Sequence, residues 1–266
     1  MSVLIVIPAR YASNRYPGKP LVDLSGATGV SKKLIERTWI AAQSVKGVAR
    51  VVVATDDIRI QQAAQGFGAE VIMTSTEAQN GTERCAETVE QLPVDYDIVV
   101  NLQGDAPLTP PWFVEDLIAG LRANPEVDIA TPVLRCDGET LNGLLHDRKA
   151  GRVGGTTAVF KADGHALYFS KEVIPYTSNR YADASVTPVF HHVGVYAYRP
   201  SSLLAYPAWS AGPLETLEGL EQLRFLEQGR RVLCVEVEAK GRQFWELNNP
   251  DDVARIQAMM LNMNMP

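Results

Sequence analysis

Val3-Leu4-Ile5-Val6-Ile7 is a continuous apolar run, β-branched at four of its five positions. A run of this kind fits a strand covered on both faces, as in a parallel sheet, and Pro8 is expected to stop it. Strand-like runs return at 50–54, 70–73, 97–102, 128–134 and 231–237, and helical patterns over 30–46, 58–65, 82–91 and 110–124 alternate with them. The alternation predicts an α/β fold with a mostly parallel, doubly wound sheet, whose ligands sit at the carboxyl ends of the strands. Strands at 156–160, 166–169 and 191–199, with a hairpin signal at Ala162-Asp163-Gly164, predict a smaller β-rich portion over about 156–200 within a single domain spanning 1–266. The stretch 136–155 reads as a Gly-rich, basic, mobile loop. Residues 213–226 read as one amphipathic helix, and the Met-rich tail after Arg255 follows a terminal helix opened by Pro250, Asp251 and Asp252.

The formal net charge is -6, so nonspecific nucleic-acid binding is not expected and an anion site must be a local basic pocket. Cys85, Cys136 and Cys234 are odd in number and widely spaced, which suggests reduced thiols in a cytoplasmic protein. No signal peptide or membrane-spanning run is visible, since Arg10 interrupts the apolar stretch near the N-terminus.

The loop after the first strand carries Arg10, Arg15 and Lys19 with no acid among them, and Pro17, Gly18 and Pro20 restrict it. Cations gathered on one strand-end loop suit a polyanion such as a polyphosphate, with Arg giving a forked grip and Lys a point charge. From spacing alone, a solvated basic loop is the alternative. The segment is not a P-loop, because Lys19 is followed by Pro20. No dinucleotide glycine fingerprint follows the first strand either, which argues against a nicotinamide dehydrogenase.

Asp105 ends the run 97–102 through Gln103-Gly104, a position suited to a metal–phosphate complex or to a helix cap. Asn80-Gly81-Thr82-Glu83-Arg84 reads as a helix start. His191 and His192 are adjacent on a strand and point to opposite faces, so they do not share a metal ion.

Ile7-Pro8-Ala9-Arg10-Tyr11-Ala12-Ser13-x-Arg15-x-Pro17-Gly18-Lys19-Pro20-Leu21 closely resembles the opening of the 3-deoxy-manno-octulosonate cytidylyltransferase family, the CMP-Kdo synthetases, among the sugar nucleotidyltransferases. Further matches continue to the end of the chain. The resemblance implies a Rossmann-like nucleotide-diphospho-sugar transferase fold, a homodimer, and transfer of CMP from CTP to an acidic 3-deoxy sugar for lipopolysaccharide biosynthesis. It implies nucleotide contacts from Ala9, Arg10, Arg15, Lys19, Asn80, Gly81, Thr82 and Arg84. It places Mg²⁺ on Asp105 and Asn248, and the sugar on Gln103, Lys171, His192, Glu215 and Gln222. Arg10, Arg15, Lys19 and Asp105 carry the catalysis in this reading. The chain departs from the family's pattern at Asn80 (usually Ser), Ala106 (Glu), Thr157 (Lys), Lys171 (Arg) and Asn248 (Asp). The departures at Ala106, Thr157, Lys171 and Asn248 keep open a cytidylyltransferase for a different acidic sugar, and Asn248 alone keeps open a non-catalytic CTP-binding regulatory protein.

Overall fold

A computed structural model of the chain describes residues 2–266 apart from 13–15, 94, 154, 178–180, 182, 244 and 248. Two of the expected site residues, Arg15 and Asn248, lie outside the described residues. The chain divides into two compact units, Met1–Glu115 with Ala239–Pro266, and Asp116–Glu238.

The first unit contains β1 (Val3–Ala9), β2 (Asp23–Ser25), β3 (Ser31–Lys33), α1 (Leu34–Gln43), β4 (Arg50–Thr55), α2 (Ile58–Gly66), β5 (Glu70–Met73), α3 (Gly81–Glu90) and β6 (Ile98–Leu102). The unit boundary falls within α4 (Pro111–Ala123). Its main strands follow the order β5-β4-β1-β6, and all three pairings are parallel. Every residue of β1 is buried, as an apolar run covered on both faces requires. Pro8 does not end the strand: it pairs with Ala54, and Ala9 pairs with Thr55. Pairing with β6 stops at Val6, so the missing Pro8 N–H leaves no gap on that flank.

The helix expected over 30–46 is shorter. Residues 31–33 form β3, antiparallel to β2, and α1 starts only at Leu34, whose N–H donates to Val22 O at 2.8 Å. Pairing of Lys33 with Asp23 and Ser31 with Ser25 holds this segment extended against its helical pattern. The C-terminal helix (Asp252–Asn262) buries Ile256 and Met260 in a core shared with Leu24, Leu34, Leu108 and Leu247, and Met259, Met263 and Met265 pack against that core. The Met-rich tail is therefore packed.

The second unit contains β7 (Ile129–Arg135), α5 (Gly138–Lys149), β8 (Thr156–Phe160), β9 (Ala166–Ser170), β10 (Phe190–His192), β11 (Val195–Tyr198), α6 (Pro200–Ala205), α7 (Pro213–Glu218), α8 (Leu223–Glu227) and β12 (Val232–Glu236). Strand β7 is its hub. β10 and β11 pair antiparallel with successive parts of β7, β12 runs parallel to it along the other edge, and β8 and β9 continue the sheet beyond β10.

Three expectations change here. The stretch 136–155 is largely helix α5, capped by Asp137, whose Oδ1 accepts the Thr140 N–H at 2.8 Å. The strand expected over 191–199 is interrupted at Val193 and Gly194. The helix expected over 213–226 is two helices, because Gly219 adopts a left-handed conformation (φ 61°) after one and a half turns.

Candidate active site

The four parallel strands of the first unit change direction of succession between β1 and β6, since β4 and β5 extend to one side of β1 and β6 lies on the other. Ligands of such sheets bind outside the carboxyl ends of the strands at this switch point. Ala9, the last residue of β1, is buried, and the exposed Arg10 follows it. The carboxyl end of β6 leads into Gln103-Gly104-Asp105. Gly104 fits because a Cβ there would lie 2.8 Å from the Pro8 carbonyl oxygen of β1. The two strand ends meet through an ion pair, Lys19 Nζ donating to Asp105 Oδ2 at 2.5 Å. The loop's cationic charge is thus opposed after all, by an acid 86 positions away. Both side chains stay partly exposed, at 15% and 25%, so either can exchange its partner for a ligand. Asp105 is anchored through its backbone carbonyl, which accepts the Leu247 N–H at 3.0 Å.

The start of α3 stands nearby in the same unit. Asn80 caps it, its Oδ1 accepting the Glu83 N–H at 2.9 Å, while Glu83 Oε2 accepts the Gln79 N–H at 2.8 Å. Thr82 is buried. Gln103, assigned by resemblance to the sugar, sits against this segment: a Cβ on Gly81 would lie 2.8 Å from Gln103 Nε2. Arg84 is only 3% exposed. Its guanidinium bonds to Thr74 Oγ1, to Ser75 O at 3.4 Å and to Asp56 Oδ2 at 3.3 Å. Arg84 therefore braces the chain after β5 against the end of β4.

The expected sugar residues Lys171, His192, Glu215 and Gln222 belong to the second unit. His192 is buried beside the rings of Phe169 and Tyr196, with Nε2 at 2.8 Å from Thr131 Oγ1. Thr131 has a single proton and faces two carbonyls that can only accept, Val195 O at 2.9 Å and Val193 O at 3.3 Å. This assigns the hydroxyl proton to a carbonyl and the ring hydrogen to His192 Nε2, leaving Nδ1 as an acceptor.

Burial pushes His192 down to about 3 and His191 down to about 4, from 6.5. His192 is thus a neutral hydrogen-bonding group at neutral pH. The unfolded chain takes up these protons first, so the stability involved is complete above the unfolded value of 6.5. It is lost as pH falls through that value toward about 4 and 3. The melting temperature is expected to fall between about pH 7 and about pH 5, with a shallower slope in His192→Gln. Thermal melts across that range check this, and an equal slope in the variant would contradict it.

Gln222 is 2% exposed, and its Oε1 accepts the Tyr196 hydroxyl at 3.0 Å. That bond fixes the amide orientation, so Nε2 is the group left to donate. It has no acceptor among the described residues. A buried amide donor in this state is costly unless a ligand supplies the acceptor. The Lys171 N–H donates to Glu218 Oε2 at 2.9 Å, and its ammonium lies beside Gly219, at 3.0 Å from a Cβ position there. Glu215 is engaged differently: both of its oxygens accept from Arg224, at 2.7 and 2.8 Å. Thr157, where the family commonly has Lys, accepts the Ile174 N–H at 3.1 Å and donates to Glu172 O at 2.7 Å, so it ties the chain after β9.

Tyr196, Thr131 and Arg224 orient these candidates and were not singled out from the sequence. The Tyr-x-Tyr pattern of β11 carried a signal for the first, because alternate strand residues share a face. Nothing local marked the other two.

The profile of the cytidylyltransferase family matches residues 4–232. The chain is 44% identical over 260 residues to the 3-deoxy-manno-octulosonate cytidylyltransferase of Maricaulis maris, covering 98% of this chain and 97% of that protein. It is 38% identical to the 8-amino-3,8-dideoxy-manno-octulosonate cytidylyltransferase of Shewanella baltica, covering 97% and 98%. The solved structure of a CMP:2-keto-3-deoxy-manno-octonic acid synthetase complexed with CTP superposes with a TM-score of 0.82 at 36% identity, covering 98% of both chains. With the switch-point architecture, these likenesses show that the chain belongs to the 3-deoxy-manno-octulosonate cytidylyltransferase family of sugar nucleotidyltransferases.

Proposed function

We propose that this protein transfers CMP from CTP to the anomeric hydroxyl of 3-deoxy-manno-octulosonate, releasing pyrophosphate. The observation that carries the proposal is the Lys19–Asp105 pair at the switch point, in a chain 44% identical to a protein named for that activity. The sugar oxygen attacks the α-phosphorus in line. The new P–O bond forms as the bond to the β-phosphate oxygen breaks, pyrophosphate leaves, and the hydroxyl proton passes to solvent water. Positioning and charge neutralisation dominate such a transfer. Arg10 and Lys19 bind the triphosphate and hold the departing pyrophosphate, with Arg15 added by the resemblance. Asn80, Gly81 and Thr82 read the base, and Gln103 stands beside them. His192, Gln222 and Lys171 orient the sugar acid.

No group of three or more His, Cys, Asp or Glu side chains among the described residues could cage a metal. The partly exposed Asp105 carboxylate suits a nucleotide-borne Mg²⁺, which commonly uses one or two protein carboxylates together with phosphate oxygens. Asp105 would hold the ion, with Asn248 as a neutral oxygen donor. When bound, Mg²⁺ would neutralise phosphate charge and lower the pKa of the attacking hydroxyl. We also propose a cytoplasmic homodimer. No helix among the described residues is long and apolar enough to cross a membrane, and sedimentation in solution tests the assembly.

The test is a matrix of CTP and UTP against 3-deoxy-manno-octulosonate and its 8-amino analogue, read as pyrophosphate release and product mass. The 8-amino arm is included because relatives of both names match nearly the whole chain. CTP with the 8-hydroxy sugar is expected to be the best pair. UTP is expected to be poorer by about a hundredfold or more in kcat/KM, since it mismatches the hydrogen bonds that would read cytosine. Equal use of UTP would overturn the base assignment, and preference for the 8-amino sugar would redirect the substrate.

A further inference from the structure

The cationic loop is braced from outside by residues with no role in the reaction just described. Tyr11 follows Arg10, and its carbonyl accepts the Gly18 N–H at 2.9 Å, closing the loop just before Lys19. Gly18 is left-handed (φ 72°), and a Cβ on it would lie 3.1 Å from three atoms at the edge of the Tyr11 ring. Gly18 is thus fitted against that ring. Over the ring face lies the guanidinium of Arg59, 3.3 Å from the centroid. Arg59 is fixed in turn by Asp57, the N-cap of α2. Asp57 Oδ1 accepts from Arg59 N and Nε, both at 2.9 Å, and its Oδ2 accepts from Nη2 at 2.6 Å. A rigid helix start therefore supports a planar cation, which supports the ring against which Gly18 turns toward Lys19.

We infer that Arg59 and Tyr11 are positioning residues for triphosphate binding, with Arg59 acting through the Tyr11 ring that sets the separation of Arg10 and Lys19. Arg59 already spends its charge on Asp57, so stacking is its contribution. A planar guanidinium can lie flat on a ring, whereas an ammonium lacks that face. The inference rests on the proposed use of CTP. Its test starts from wild-type CTP binding by calorimetry, and absence of binding there would remove that reading itself.

Given binding, Arg59→Ala is expected to raise the Kd and KM for CTP about three- to tenfold, leaving the KM for the sugar acid within about twofold. Arg59→Lys should behave like Arg59→Ala. Tyr11→Phe, which keeps the ring, should retain CTP affinity, whereas Tyr11→Leu should match Arg59→Ala. The double variant Arg59→Ala/Tyr11→Leu should be no worse than the weaker single variant, because both remove one stack. The salt dependence of CTP binding should not change in Arg59→Ala. Rescue by Arg59→Lys, additive losses, or a flattened salt dependence would make Arg59 a direct phosphate ligand and overturn the positioning role. Unchanged CTP affinity in Arg59→Ala would also overturn it. A loss that follows the melting temperature equally for both substrates would reduce the stack to general stability.

Discussion

Asp105→Asn is expected to cut turnover by at least about a hundredfold without weakening metal-free CTP binding. Two features of the pair decide this. Asp105 and Lys19 keep 25% and 15% of their side-chain surface open to water, so solvent partly screens the ion pair and its net contribution is about 0.2–1 kcal/mol. Removing the charge therefore leaves the melting temperature nearly unchanged. It also frees Lys19, which under the proposed role leaves Asp105 in order to reach a phosphate. Metal-free CTP binding is accordingly expected to tighten by a factor of about 1.5–5, the equivalent of that pair energy. Under the proposed metal role, turnover would fall because the variant has no carboxylate at the strand end to hold Mg²⁺. The combination separates the assignment from simple damage to the fold. Single-turnover kinetics at saturating Mg²⁺, with calorimetry of CTP binding with and without the metal, checks both halves. Near-normal turnover in Asp105→Asn would overturn the proposed metal role of Asp105.

The same pair shows what could be read from the sequence and what could not. The apolar run of β1, the basic loop after it, and the Gln103-Gly104-Asp105 segment after β6 are local signals: the run forms a buried strand and each polar segment follows a strand end, as expected. That Lys19 touches Asp105 depends on β1 and β6 being neighbours, which is a property of strand order and not of either segment. Helix α5 was missed because it has a short apolar stripe. Leu141 and Leu144 are its buried leucines, and its interior includes Gly143. The informative signal was the cap, Asp137 three residues before Thr140. Strand β3 was read as helix because the pairing that holds Ser31–Lys33 extended comes from β2, upstream of the helical pattern. On the expected sugar side the residues were named by the family resemblance. Their partners were not, since Thr131 lies 61 positions from His192.

Glu215→Gln is expected to destabilise the protein by about 3–5 kcal/mol, lowering the melting temperature by roughly 6–20 °C. Its carboxylate and the Arg224 guanidinium form a two-point ion pair with side chains only 11% and 7% exposed. Arg224 also donates to Trp209 O at 3.3 Å and lies 4.1 Å from the centre of the Tyr206 ring. Neutralising Glu215 leaves this enclosed cation without its counter-charge, which costs more than the pair itself is worth. Replacing both residues, as Glu215→Met/Arg224→Met, removes the orphaned charge and should recover most of the loss. The left-handed turn at Gly219 places this pair across a break between α7 and α8, so the bridge also fixes how the two helices meet. The resemblance assigns Glu215 to the sugar, whereas here both oxygens accept from Arg224 and the side chain is only 11% exposed. At a temperature well below its melting point, Glu215→Gln should therefore shift the KM for the sugar acid by less than about threefold. Thermal melts of the two singles and the double, beside sugar-acid kinetics of the folded single, separate the roles. A rise of about tenfold or more in that KM, with little change in melting temperature, would return Glu215 to the sugar and make Arg224 the residue that aims it.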